Sequence, residues 1–333
     1  MKTHQKILPI FIILIIVSGL SAKKIYQYLV SPPQKTASPQ IFVVPKGSTG
    51  EEIASRLEKE GLIRSASVFG WLLKRTNLQK QIQPGDFRLS ATMSAYQIAL
   101  ELTSPLDIWV TTLEGWRVEE IADYIISDFQ FLISNFQKDD FLAEAKPLEG
   151  FLFPDTYLVP KTASASAIIK ILSDNFTQRV DEDLREEMLK KGWTLYEVIN
   201  LASIVEREAR LDEDRPIVAG ILIKRLKSGM PLQADATVQY AKSTANCPLS
   251  TPACDWWPKE ITQTDLQMDS PYNTRKFSGL PPTPICNPGL ASIKAVVFPQ
   301  DTEYWYYLSD KEGQMHYAVT LEDHNQNIDT YLE

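Results

Sequence analysis

The chain has 333 residues, a net charge of −8, and 44% apolar against 23% charged residues. That length suits about two domains with a sizeable core, and the ordinary composition excludes wholesale disorder. The acidic balance argues against a nucleic-acid partner, which needs surplus Lys and Arg to displace counterions.

Ile7 to Ala22 is apolar apart from two serines and follows Lys2 and Lys6. Such a segment reads as a membrane-targeting anchor, with the rest of the chain exported. It reaches spanning length only by continuing past Lys23 and Lys24 toward Tyr28, so residues 1–30 are taken as a cytoplasmic tip and a single-pass transmembrane anchor in the cell membrane. Gly19 and Ser21 leave cleavage as a signal peptide open. Residues 31–40, rich in Pro and polar side chains, read as a semi-extended linker.

A repeat follows. Gly47-x-x-x-Glu51-Glu52-Ile53-Ala54 recurs as Gly115-x-x-x-Glu119-Glu120-Ile121-Ala122. Each copy comes after a strand-like stretch, Ile41–Val44 or Ile108–Thr112, and opens a helix; Ser48 and Glu51 are placed to form a capping box in the first. A second helix around Val68–Lys74 and a turn at Pro84-Gly85-Asp86 complete a small module over 41–105. Residues 106–146 form a second β-α unit that leads into a larger mixed domain over 147–333.

In that domain, Leu148–Pro160 reads as extended, and helices are predicted at 163–190, 194–210 and 215–228. Strands are predicted at Tyr304–Leu308 and Met315–Val319, with a last helix from His324 to Leu332. The whole is α+β.

The most informative helix begins with Thr194 and Glu197, spaced as a capping box. From there Val198, Ile199, Leu201, Ala202, Ile204 and Val205 spread around nearly the whole circumference, the pattern of a buried helix. Glu206 and Glu208 are the first carboxylates after the run. An acid held against apolar neighbours keeps its proton near neutral pH and can give it to a leaving group. Periodicity does not choose between the two, and solvated pairing with Arg207 or Arg210 is the plain alternative.

Of the three cysteines, Cys247 and Cys254 bracket a six-residue loop and suit a disulfide in an exported protein, leaving Cys286 free. No Cys-x-x-Cys or His-x-x-x-His spacing occurs, so no metal site is expected.

Six motifs occur in order: Leu148–Tyr157, Ala202–Glu206, Leu232–Tyr240, Ser270–Thr274, Gly279–Gly289 and His324-Asn325. Together they resemble the YceG-like family of endolytic murein transglycosylases over essentially everything from the anchor onward. The resemblance implies a single-pass membrane protein, without cofactor, whose outer part cuts nascent peptidoglycan glycan strands, possible partners being peptidoglycan synthases. It gives the 41–105 module a LysM-like identity, makes residues 147–333 the catalytic domain, and assigns the catalytic carboxyl to Glu206, with Glu208 in a supporting place.

In that chemistry one carboxyl protonates the oxygen between MurNAc and GlcNAc, then takes the proton of the C6 hydroxyl of the same MurNAc as it closes on C1. Gln233, Asp235, Tyr272, Asn273 and Asn287 are candidates for binding sugar hydroxyls and N-acetyl groups. Their turn-rich, proline-stiffened surroundings also suit purely structural roles. Glu149 and Asp155 are candidates for bracing the helix. A hydrolase would need a second carboxylate about 5 to 9.5 Å away, for which Asp155 and Asp235 are available. Trp256-Trp257 suits either sugar stacking or an aromatic plug, and the Cys247–Glu260 stretch has no counterpart in the motifs. The rival to a cutting enzyme is a peptidoglycan-binding scaffold that organises cell-wall synthesis.

Overall fold

The computed structural model describes residues 18–129, 133, 135–247 and 254–332. The chain divides into two compact units, Met1–Trp109 and Val110–Glu333. Most of the apolar N-terminal run, Ile7–Val17, lies outside the described residues; residues 18–30 are helical, and among the described residues no helix is long and apolar enough to cross a membrane.

The first unit is built on an antiparallel pair, β1 (Gln40–Val44) and β2 (Gly85–Leu89), in which Phe42 faces Phe87. Alternation puts Phe42, Val44, Phe87 and Leu89 on one face. There they pack with Ile53, Leu57, Phe69 and Leu73 of helices Gly50–Lys59 and Ala66–Thr76. The first helix is capped by Thr49 and Glu52, one residue later than the Ser48/Glu51 pair read from the sequence. Thr49 Oγ1 accepts the Glu52 amide, and Glu52 answers at the Thr49 amide. Residues 31–39 are tied to this unit instead of running free. Arg64 donates to the carbonyls of Pro32 (2.8 Å) and Pro33 (3.0 Å), and the Gln34 amide donates to Ala91.

In the second unit, β4 (Thr156–Pro160) pairs with β3 (Asp107–Thr111), whose last two residues open the unit. The expected helix at 163–190 is two, Ala165–Arg179 and Glu182–Lys190. Val180 leaves the helical region with its side chain fully buried, and Asp181 caps the second helix by accepting the Leu184 amide at 2.9 Å.

Helix Leu195–Glu208 runs through the middle of this unit, started by the expected Thr194/Glu197 capping box. Every residue from Val198 to Val205 is buried, so the all-round apolar pattern carries the meaning read from it. Helices Glu182–Lys190, Arg215–Lys227, Asp235–Asn246 and Leu290–Val297 pack around it. A hairpin of β5 (Tyr306–Ser309) and β6 (Met315–Ala318) and a helix Leu321–Tyr331 complete the unit.

Candidate active site

The end of helix Leu195–Glu208 is fixed by its own polar residues. Asn200 Nδ2 donates to the Pro281 carbonyl at 2.7 Å, and Ser203 Oγ accepts the Ile285 amide at 3.0 Å. These bonds lay the Pro281–Gly289 segment along the helix and bring the Gly289 amide to Glu206. Glu206 Oε2 accepts that amide at 2.8 Å, at the start of helix Leu290–Val297, where the helix dipole favours an anion. Its Oε1 accepts from Arg215 Nη2 at 2.9 Å, with side-chain exposures of 5% and 8%. Arg215 is itself steadied by Asp212 and lies 3.8 Å from Glu114, whose carboxyl is raised by burial and by the charge of Glu206.

Glu206 is therefore buried, as expected, but its neighbours are polar and cationic where apolar ones were expected. It is Glu208 that the fold pushes toward its protonated form. Burial and the charge of Asp235 push Glu208 up to about 7, while the Ala236 amide (3.1 Å) and the Tyr307 hydroxyl (3.0 Å) donate to its two oxygens. Buried residues here come from contacts distant in sequence, so no local pattern could assign them.

Both glutamates line a cavity of about 590 Å³ with Gln233, Asp235, Tyr307 and His324. Gln233 stands at φ 55°, one of two positive-φ residues other than glycine among the described residues. Its amide donates to the Thr274 carbonyl at 3.0 Å, and the Ala234 amide donates to Thr274 Oγ1 at 3.2 Å. A left-handed non-glycine residue held in place by flanking bonds, at the edge of a cavity, is the kind of outlier that points to function. Asp235 is gripped by Arg275 at 2.5 Å. His324 stacks on Tyr306, and its Nδ1 is buried without a hydrogen-bond partner.

The structure places the other candidates outside this lining. Asn273 is fully buried: its Nδ2 donates to the carbonyls of Leu266 and Met268 at 3.0 Å, and its Oδ1 accepts the Arg275 amide. Asn287 is as closed, with Oδ1 accepting from Gly150 and Leu152 and Nδ2 donating to Trp116 and Glu149. Tyr272 shares a hydrogen bond with Thr283 and packs on Tyr240. For Asn273 and Asn287 the sugar contact suggested by the motifs gives way to a framework role, since their amides are already bonded inside the fold, whereas Tyr272 is half-buried with its hydroxyl bonded. Asn287 nevertheless leads directly to Gly289 and so sets the approach to Glu206.

Asp155 is bonded to helix Ala165–Arg179 and not to the helix of Glu206: against burial, Arg179 (2.6 Å), Asn175 and the Thr156 amide hold its carboxyl below the usual range. Glu149 is sealed in a network with Lys146, Glu119 and Arg117; burial pushes it up to about 8 against the pull of Lys146. Cys247 and Cys254 form the expected disulfide, and Cys286 is free and buried. Trp256 and Trp257 are plugs with their ring nitrogens used, donating to Asp123 and Glu120.

Sequence reasoning missed Arg215, Glu114 and Tyr307. Arg215 sits near the start of its helix, where a cation is unfavourable. That misfit with the helix dipole was the one sequence signal that it serves something else.

The pattern that defines the YceG-like family matches residues 42–330. The chain is 30% identical over 332 residues to an endolytic murein transglycosylase of Bacillus subtilis (strain 168), covering 91% of this chain and 88% of that one. It is 27% identical over 347 residues to the protein of the same name in Streptococcus pneumoniae (serotype 2 strain D39), of which the match spans 61%. The 2.6 Å crystal structure of a YceG-like protein from Listeria monocytogenes superposes with a TM-score of 0.57 at 29% identity, over 87% of this chain and 99% of that one. The chain belongs to the YceG-like family.

Proposed function

We propose that this chain is an endolytic murein lytic transglycosylase with Glu206 as its acid and then its base. The family membership and the names of the relatives support the activity. The observation that carries the site is the meeting of Glu206, Gln233, Asp235 and His324, from three of the ordered motifs, around one cavity. Glu206 would protonate the oxygen between MurNAc and GlcNAc, and its carboxylate would then accept the C6 hydroxyl proton as that oxygen closes on C1. The glycosidic bond breaks, the C1–O6 bond forms, and the proton passes from one oxygen to the other through one carboxyl group, leaving a 1,6-anhydro end. Arg215 and the Gly289 amide orient the carboxyl, each oxygen keeping a second lone pair for the substrate. Gln233 is the residue best placed to hold a sugar. In the same reading the apolar N-terminal segment anchors the chain in the membrane with the second unit outside, and the βααβ first unit is the LysM-like module.

Glu208 supports a second reading, in which it holds the proton, because it is the acid in the cavity whose burial keeps it protonated toward neutral pH. Cleavage of purified glycan strands by wild type, Glu206→Gln and Glu208→Gln separates the two. Loss of product only in Glu206→Gln supports the first, and loss only in Glu208→Gln supports the second. A wild type that binds strands without cutting them would instead indicate a scaffold. Mass spectrometry tests the reaction type, since anhydro ends are one water lighter than reducing ends; finding only reducing ends would make the protein a hydrolase.

A further inference from the structure

We propose that Arg207 and Arg210 form a carboxylate-reading rim on this cavity, selecting glycan strands that still carry acidic stem peptides. The inference rests on the murein reading above and adds the part of the substrate that a sugar-cutting site has no need to recognise.

In a chain of net charge −8, the cavity gathers four arginines. Two are committed. Arg225 donates to the carbonyls of Trp305 and Leu232, and Arg275 holds Asp235. Arg207 and Arg210 are exposed, and among the described residues neither guanidinium donates a hydrogen bond to the protein. The carboxylates nearby are already engaged: Glu206 by Arg215 and Gly289, Glu208 by Ala236 and Tyr307, Asp235 by Arg275. Glu120, which also feels Arg207, accepts from Trp257 and from the Arg117 amide.

The two free cations are also given room. Arg207 lies 3.8 Å over the Trp257 ring, which is fixed by its bond to Glu120 at 2.8 Å. A guanidinium stacked in this way keeps its edge donors free in the plane, the arrangement that takes a carboxylate with two parallel bonds. Its Nη1 passes 3.3 Å from where a Cβ on Gly115 would stand, and Arg210 Nη1 passes 3.2 Å from the same point on Gly313. Both glycines have positive φ, 78° and 90°, so a side chain there would strain the turn as well as crowd the arginine. Neutral sugar rings offer no anion for two such groups. The peptide that hangs from the lactyl group of each MurNAc offers several carboxylates.

The test uses the full chain and three lipid-free strand preparations: intact acidic stem peptides, the same peptides with their carboxylates amidated, and strands stripped of peptide, which keep only the lactyl carboxylate. Wild type is expected to cleave the acidic strands with a kcat/KM roughly tenfold above that on the amidated ones, the size of two exposed charged contacts. The difference should lie in KM and shrink as salt is raised. Arg207→Gln/Arg210→Gln should bring the ratio close to one, and Arg210→Gln alone, which leaves Trp257 untouched, should move it part of the way. Equal cleavage of acidic and amidated strands by wild type, or an equal loss on both in the variants, overturns the proposal. Strand binding by Glu206→Gln separates this inference from the catalytic reading. Acid-selective binding that Arg210→Gln weakens sustains the rim even where wild type cuts nothing, and binding indifferent to the peptide charge overturns it.

Discussion

Glu149 and Glu206 are both carboxylates held by a cation inside the second unit, at side-chain exposures of 1% and 5%, yet their surroundings end differently. Around Glu149 the charges close on one another: Lys146 bonds Glu119, Glu149 and Tyr240, while Arg117 bonds Glu119, Ser243 and Thr244 and lies 4.0 Å over the Tyr240 ring. Around Glu206 the bonds stop at a cavity that Glu208 shares. A closed ionic network ties helix Val118–Phe129 to helix Asp235–Asn246 and leaves nothing for a ligand. An open one leaves lone pairs facing the cavity. Burial alone would have ranked Glu149 above Glu206 as a catalytic candidate; the open side reverses that order.

The sharpest way to break this comparison is to neutralise each carboxyl in turn. Glu206→Gln is expected to lower glycan cleavage by roughly a thousandfold, within the range for general acid–base groups, and to lower the thermal midpoint as well, because the amide oxygen can accept from only one of Gly289 and Arg215 and the charge opposite Arg215 is lost. Anhydro-end production alongside calorimetry reads both. Arg117→Leu should cost stability alone. Removing one side of the closed network leaves Glu119 buried with less compensation and is expected to cost about 3 kcal/mol or more in urea unfolding, with turnover per folded molecule retained.

A smaller effect concerns pH. Glu208 moves from about 4.5 in the unfolded chain to about 7 in the fold, so the fold favours its protonated form. The sign follows: its contribution is fully present below about pH 4.5 and is lost as pH rises toward 7, at most about 3 kcal/mol. Glu208→Gln should flatten that part of the stability profile in unfolding experiments at pH 5 and pH 8; an unchanged slope would show that Glu208 does not titrate there. Cys247→Ser/Cys254→Ser is expected to cost about 2.5 kcal/mol, the loop-closure value for residues seven apart. If the disulfide matters only for stability, cleavage by the folded variant stays the same. If it also holds Trp257 under Arg207, the preference for acidic strands falls with it.

Local elements were largely legible. The helix from Leu195 announced itself through its capping box and its all-round apolar run, and the β5–β6 hairpin through the strand-like runs Tyr304–Leu308 and Met315–Val319. The errors were local too: the cap at Thr49, read one residue early as Ser48, and the break at Val180, where the N-cap signal of Asp181 was passed over. The site was legible only in part. Gln233 and Asp235 do line the cavity with Glu206, while Asn273 and Asn287 spend their amides on the backbone, and an amide's letter does not say whether its partner is a sugar or a carbonyl.

That an apolar helix ends in two carboxylates, with ordered motifs around it, is written in the order of residues, because periodicity and capping are set by neighbours within a turn or two. Tertiary structure alone decided which carboxylate is ion-paired and which is desolvated. Arg215, nine residues after Glu206, and Gly289, eighty-three after it, meet one oxygen each, while Tyr307 closes over Glu208. The state of a buried charge depends on what reaches it through space, and at these distances along the chain only the packing of four helices and a hairpin fixes that.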